Sequence, residues 1–488
     1  MNPGRVGVQH LPIASFRDPA GRLLAVDRRL TRLVTRSWLP DLEALLTSPG
    51  AQRFVELGCL VPTRLLDSEE ARAVLHEARG RDLLAELDGA VAIGHERIHF
   101  PNFPWEWPAE MLHAAGSLTL DLAEGLLDEG IGLKDATPYN VVFRGPHPVF
   151  VDILSIERRA PGDPVWLPYA QFVRTFLLPL LVNRSFGTSL EHIFTTRREG
   201  FEPREVYRMC GPLRRLLPLF LTLASLPTWA GRQRIAASPN LYRPKELRNQ
   251  HQARFALQFI LRGLRRKLNR LAPGKARTSD WSEYSTASPH LSTEDFNAKR
   301  AFIENLVVEF RPKNVLDAGC NTGYFSVVAA RHGARVVGID SDPAVVGELW
   351  RTARAQALDI LPLVVNLARP SPAVGWRNQE CSAFLERAQG GFDAVFLFAL
   401  MHHLLVTERV PLPEILGLAA DLTTRFVAIE FISPEDAMFR RLARGRDALY
   451  QKLTRDVFER ACRQHFDLVR CRPLSRPTRW LYLWEKKN

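Results

Sequence analysis

The chain has 488 residues, 46% hydrophobic and 24% charged, with a formal net charge of +12. That length implies two or three domains rather than one core, and that balance excludes a disordered or fibrous chain. Six scattered cysteines (Cys59, Cys210, Cys320, Cys381, Cys462, Cys471) form no C-x-x-C pair, which argues against a disulfide framework or a zinc site and for reduced thiols in a cytoplasmic protein.

The opening residues, MNPGRVGVQHLP, lack the continuous apolar stretch of a secretory signal. The positive balance is carried mainly by arginine, and no lysine precedes Lys134. Farther on, PAEMLHAAGSLTLDLAEGLLDEG (108–130) predicts a long helix, and GLKDATPYNVVFRGPHPVFVDILSIE (132–157) a loop followed by a hairpin. In that loop Asp135 and Asn140 stand five apart, and Asp152 follows the second apolar strand.

Helix, loop, hairpin and acid in this order resemble the larger lobe of protein kinases and aminoglycoside phosphotransferases, so the resemblance implies an α-rich, α+β kinase-like domain. By that resemblance Asp135 would accept a substrate hydroxyl proton, while Asn140 and Asp152 would hold magnesium on nucleotide phosphates. The run Leu133-Lys134-Asp135 lacks the usual preceding histidine, and neither an upstream lysine nor a glycine-rich loop is present. An arginine fork is not equivalent to the missing ammonium. Two readings stay open here: a working phosphoryl-transfer site, or a degenerate kinase-like domain used for substrate binding or docking.

The most apolar run, Leu216 to Ala230, is short for a bilayer span and holds two prolines, so it reads as a buried helix or pair of helices. Next, ARFALQFILRGLRRKLNRL places Phe255, Phe259, Leu264, Leu268 and Leu271 near helical spacing, ahead of the small polar stretch that ends at Asp280. A connecting helix docked on one domain is expected, with peripheral membrane contact through 254–277 as the alternative. The chain thus divides into 1–250, a basic helical linker 251–280, and 281–488.

From Asn314 onward apolar strands alternate with helices: NVLDAG (314–319), RVVGID (335–340), LPLVVN (361–366), FDAVFLFAL (392–400) and RFVAIEFI (425–432). FDLVRCRP (466–473) and RWLYLWEK (479–486) close the series as an antiparallel pair. This predicts an α/β fold with a mostly parallel sheet, whose ligand sits beyond the strands' carboxyl ends. The first turn is Asp317-Ala318-Gly319-Cys320-Asn321-Thr322-Gly323, a G-x-x-x-G spacing rather than the G-x-G-x-x-G of dinucleotide sites. Asp340 ends the second strand 21 positions after Gly319, where a carboxylate can accept hydrogen bonds from ribose hydroxyls.

The segment 281–488 closely resembles the Rossmann-like, class I S-adenosylmethionine-dependent methyltransferases, which have a seven-stranded sheet. The resemblance implies that Asp317, Gly319, Asn321 and Gly323 shape the pocket for the methionine end of S-adenosyl-L-methionine. It places Asp340 on the ribose and Asn366 and Leu367 near the adenine. His402 and His403, after the fourth strand, stand at the acceptor mouth, as catalytic base or as packed wall. Glu430 faces the same rim as a structural acid, Trp281 and Tyr284 are candidates for a lid, and Arg440, Arg441, Arg444 and Arg446 form a solvated helix face. No metal is expected in this half.

With LKDATPYN upstream and LDAGCNTGYFS downstream, the arrangement resembles a bacterial family of two-part methyltransferases with nodulation-related members. The expected function is methyl transfer to a small-molecule, glycan or lipid-linked acceptor. The rivals are a small-molecule phosphotransferase, and an RNA methyltransferase or basic RNA-binding adaptor. A small-molecule or glycan partner is favoured over nucleic acid.

Overall fold

The computed structural model describes residues 20–26, 29–77, 90–231, 247, 249–274 and 293–487. Trp281 and Tyr284, the lid candidates, lie outside them. The chain forms two compact units: 1–105 with 111–273 and 373–382, and 106–110 with 274–372 and 383–488.

The first unit begins with a four-stranded antiparallel sheet in the order β1-β2-β4-β3, built from β1 (Gly21–Val26), β2 (Arg29–Thr35), β3 (Thr63–Leu65) and β4 (Ala90–His95). The antiparallel ladder of β1 and β2 runs from the Gly21–Val34 pair to the Val26–Arg29 pair. A helix, Ala109–Gly125, follows and buries residues around most of its circumference, among them Met111, Leu112, Leu118, Leu120 and Leu122. A helix apolar on so many sides belongs inside a domain. After it come β5 (Ile131–Leu133), the hairpin β6 (Val141–Arg144) and β7 (His147–Phe150), and β8 (Ile156–Arg158), which pairs with β5. Helix, loop, hairpin and acid stand in the order expected from the sequence, behind a four-stranded sheet that the sequence reading did not name.

The apolar run 216–230 is broken into Pro218–Phe220, a π-helical turn Leu221–Ser225, and Leu226–Gly231. Pro227 supplies no amide hydrogen, which suits the widened turn just before it. Among the described residues no helix is long and apolar enough to cross a membrane.

The helix Gln250–Arg270 belongs to the first unit and buries Ala253, Leu257, Leu261, Leu264 and Leu268. Leu264, Leu268 and Leu271 are inside as expected, but Phe255 and Phe259 are 67% and 61% exposed. The helix carries two apolar stripes, and the aliphatic one, opened by the small Ala253, is packed. The phenylalanines stand on the opposite side.

The second unit is a seven-stranded sheet in the order β11-β10-β9-β12-β13-β15-β14. Its strands are β9 (Asn314–Ala318), β10 (Arg335–Asp340), β11 (Ile360–Val364), β12 (Phe392–Leu397), β13 (Thr423–Ile432), β14 (Phe466–Pro473) and β15 (Arg479–Lys486). The pairings among β9 to β13 are parallel; β15 runs antiparallel to both β13 and β14. Every residue of β11 is buried, the pattern of a strand covered on both faces. Chain order reverses between β10 and β12 around β9, which puts the switch-point crevice beside the turn after β9. β12 ends at Leu397 rather than at residue 400, because Ala399 adopts φ 50° and leaves the sheet.

Candidate active site

The turn after β9 is shaped by backbone rather than by side chains. Gly319 (φ 74°), Asn321 (φ 52°) and Gly323 (φ 81°) all adopt the left-handed region. Asn321 tolerates it because its own Oδ1 accepts from the Thr322 amide at 2.6 Å. Gly323 must be glycine on two counts, since a Cβ there would lie 2.1 Å from Leu349 Cδ1. The amides of Gly319 and Cys320 both donate to the Ile339 carbonyl, at 2.8 and 3.0 Å, locking the turn to β10.

Two carboxylates support this turn. Asp317 is 2% exposed and accepts from Ser326 Oγ at 2.6 Å. Burial pushes its carboxyl up to about 6, against the Ser326 hydrogen bond, which holds it down. Asp340 Oδ2 accepts from the Asn321 amide and Oδ1 from the Asp342 amide, both at 3.0 Å. Its carboxyl is also raised, by burial first, with the two amides opposing. Orientation of Asp340 is therefore fixed by main chain, and each oxygen keeps a further lone pair to offer.

A cavity of about 260 Å³ opens beside this carboxylate. Of the sequence-named residues, Gly319, Asn321, Asp340, Asn366, Leu367 and His403 line it. Asp317 and Gly323, at the two ends of the turn, do not line it. Asn366 Oδ1 accepts from the Ala368 amide at 2.9 Å, which bends the chain after β11 around the rim. Ser341, Leu400, Thr407 and Glu408 also line the cavity and were not anticipated. They come from loops and turns, where no periodicity or motif marks a wall residue.

The two histidines part company. His403 lines the cavity, with its pKa lowered by burial. His402 is 2% exposed, does not line it, and its Nδ1 has no hydrogen-bond partner among the described residues. Burial, then the neighbouring His403 and Arg479, push the His402 pKa well down, so it is a neutral ring at pH 7.

Beneath the β12 exit lies a buried ionic cluster. Glu430 Oε2 accepts from Lys299 Nζ at 2.8 Å and from the Ala399 amide at 2.9 Å. Arg479 holds Asp436 through two bonds of 2.9 and 3.0 Å and comes within 3.5 Å of Glu430 Oε1. Burial raises the Asp436 carboxyl, but the Arg479 hydrogen bonds and charge overcome this and hold it at about 2. Glu430 thus has the structural role expected of it, with Lys299 a partner that sequence spacing could not reveal. Arg440, Arg441, Arg444 and Arg446 are exposed, as a solvated face requires.

In the first unit Ser155 joins Asn140 to Asp152, while Asp135 is met by Gln171. Arg32 Nη1 donates to Asp152 Oδ1 at 2.7 Å, and Ser155 Oγ to Asp152 Oδ2. Asn140 Nδ2 donates to Ser155 at 3.0 Å, and Asp135 accepts from Gln171 at 3.4 Å. Lys134 is turned onto the Trp38 ring, 3.6 Å from its centroid. A larger cavity of about 480 Å³ in this unit is lined by none of Asp135, Asn140 and Asp152. Among the described residues no group of three or more His, Cys, Asp or Glu side chains is placed to hold a metal ion.

The strand order, the turn and the acid at the end of β10 define a class I methyltransferase core. Residues 260–466 match a family model described as "Methyltransferase domain", and this part of the chain is an S-adenosylmethionine-dependent methyltransferase domain. Along its whole length the chain is similar to "Nodulation protein NoeA" of Rhizobium meliloti (strain 1021), at 28% identity over 489 residues, covering 100% of this chain and 97% of that one. Among solved structures it is similar to the N-methyltransferase NodS from Bradyrhizobium japonicum WM9 in complex with S-adenosyl-L-homocysteine (13% identity, 43% of this chain and 94% of that chain, TM-score 0.32). The bifunctional kinase-methyltransferase WbdD is another (20% identity, 43% of this chain and 44% of that chain, TM-score 0.30).

Proposed function

We propose that the chain methylates an oxygen or nitrogen of a small-molecule, glycan or lipid-linked acceptor, using the cavity beside Asp340. The observation that carries this reading is the Asp340 carboxylate, pinned by two amides at the lip of that cavity. Its surroundings fit the cofactor: a glycine-opened turn for close approach of a ligand, a fixed double acceptor for vicinal hydroxyls, and the apolar Leu367 farther along the wall. S-adenosylmethionine, when bound, supplies an electrophilic methyl group.

The chain's own residues then bind, orient and exclude water. Asp340 accepts ribose hydroxyls, the turn Gly319–Gly323 cradles the methionine end, and Asn366 and Leu367 border the base. His403, neutral at pH 7, takes the acceptor's proton; His402 is a packing residue behind it. Six scattered cysteines with no C-x-x-C pair support a cytoplasmic site of action.

For the first unit we infer binding or docking rather than phosphoryl transfer. The Arg32 guanidinium already balances the Asp152 charge, and Ser155 ties Asp152 to the Asn140 side-chain amide, an arrangement that supports a bracing role for these residues.

Calorimetric titration of the full chain with S-adenosylhomocysteine tests the cofactor site. Saturable binding that Asp340→Ala weakens at least about tenfold is expected, the cost of losing one charge-assisted acceptor. Unchanged affinity in that variant removes the ribose assignment.

A further inference from the structure

The helix Gln250–Arg270 shows an outer face that the methyltransferase reading leaves unused. Opposite its buried aliphatic stripe, Phe255, Phe259, Arg262, Arg266 and Arg270 follow one another at intervals of three or four residues, so they form a single line along the helix. All five are exposed, the two rings by 67% and 61%. The helix contains no acidic residue. Two of its arginines are neutralised within the first unit, Arg254 by Asp128 and Arg265 by Asp121 and Glu124. Arg262, Arg266 and Arg270, the three on the outer line, form no ion pair with any described residue.

A second feature adjoins the basic end of this line. Arg184 Nη1 donates to the Arg270 carbonyl at 2.6 Å, and two residues beyond Arg184 the ring of Phe186 carries the Arg214 guanidinium, 4.8 Å from its centroid. Arg214 sits between Leu213, 85% exposed, and Leu216 and Leu217, 62% and 52% exposed. An apolar tip and a line of aromatic rings, each beside arginines that form no ion pair with a described residue, is the composition of a surface that lies on an anionic bilayer. Rings and leucines enter the boundary between headgroups and acyl chains while guanidinium groups meet phosphates.

We propose that this face of the first unit docks on a membrane surface rich in anionic phospholipid. A nucleic acid would be met by the arginines but leaves the leucine tip unexplained. A protein partner or a second copy would bury the apolar groups but would have to bring its own acids for these arginines. The bilayer satisfies both at once, and docking there would hold the protein where a lipid-linked acceptor is found. The docking claim itself uses only the first unit and stands or falls independently of the cofactor site.

The test is co-sedimentation of the full chain with vesicles of phosphatidylcholine alone and of phosphatidylcholine with one-third phosphatidylglycerol. Binding to the anionic vesicles, weakened by salt and absent from the neutral ones, is expected. Arg262→Glu with Arg266→Glu should lower partitioning by at least about fivefold per charge. Phe255→Ser with Phe259→Ser should lower it about tenfold or more while leaving the melting temperature unchanged, since both rings are already in water. Equal partitioning of the phenylalanine variant overturns the proposal. So does failure of the wild type to bind anionic vesicles, whether or not it self-associates or is retained on RNA under the same conditions.

Discussion

Lys299 and Glu430, 131 positions apart, meet through a 2.8 Å hydrogen bond between side chains that are 3% and 0% exposed. The pair lies under the turn in which Ala399 takes a left-handed backbone and gives its amide to the same carboxylate oxygen. Removing one member of such a buried pair leaves an uncompensated charge. Lys299→Met should therefore cost about 3–5 kcal/mol, read from denaturant unfolding. Adding Glu430→Gln should recover most of that loss, since the amide oxygen can still accept from Ala399. Equal destabilisation of the single and double variants would show that the lysine acts through packing alone.

Asp317 makes a prediction about pH with an unusual sign. A carboxyl raised from 3.8 to about 6 binds its proton more tightly in the folded than in the unfolded state. Stability contributed at this site is therefore present at low pH and falls as pH rises from about 4 to about 6, by about 3 kcal/mol in all. Asp317→Asn keeps an acceptor for Ser326 and removes the titration. The wild type minus variant difference in unfolding free energy should decline across that window and be flat above it. A flat difference from pH 4 to 7 would refute the burial argument.

The sheet was legible because its signals are local and strong. Strands β10, β14 and β15 have the ranges that apolar runs and turn residues predict, and the G-x-x-x-G turn and Asp340 follow from spacing alone. Misreadings arose where tertiary contacts choose between equal local options. The sequence around Phe255 and Phe259 is helical on any pattern, yet only packing decides that Leu257 and Leu261 face inward. Likewise the doublet His402-His403 is symmetric in sequence, and only the fold puts one ring in the cavity wall and the other behind it. Lys299, Thr407 and Glu408 had no signal at all, since their importance comes from what the sheet brings beside them.

At Gly323 the sequence motif and the space around it make one demand. Alanine there would take a left-handed backbone, costing about 1–2 kcal/mol, and would drive its Cβ into Leu349. Gly323→Ala should lower the melting temperature and weaken S-adenosylhomocysteine binding. The double variant with Leu349→Ala should regain part of the affinity, because the clash is relieved while the strain stays. Gly319→Ala differs: its Cβ would meet Leu400 at 3.4 Å, an ordinary contact, so only the backbone cost applies and the Leu400→Ala partner should bring no recovery.

His403 should be the histidine that matters to turnover. Its pKa is lowered by burial, so it is available as a base throughout the neutral range and the acid limb of the rate profile should fall below pH 6.5. Radiolabelled methyl transfer into fractionated cell extract gives the assay. His403→Gln should reduce transfer about a hundredfold or more and abolish that limb, with binding of S-adenosylhomocysteine within about threefold of wild type. His402→Phe should leave the limb in place and register mainly in stability. A profile unchanged in His403→Gln would assign that ring to the wall alone.

Arg32 and Asp152 give the last prediction, for the first unit. Arg32 comes from the middle of β2 and reaches across to the acid that follows β7, so the cation absent from the sequence as a lysine is supplied as a guanidinium. That ion pair sets a fixed cation against Asp152 Oδ1, and Ser155 holds the other oxygen. Titration of the full chain with ATP should accordingly show no magnesium-dependent binding. Asp152→Ala should leave a mostly buried guanidinium without its counter-charge and destabilise the first unit by about 1–3 kcal/mol, while S-adenosylhomocysteine binding is preserved. ATP binding that requires magnesium and is lost in Asp152→Ala would instead make the ion pair a resting state that nucleotide opens, and would restore phosphoryl transfer as the reading of this unit.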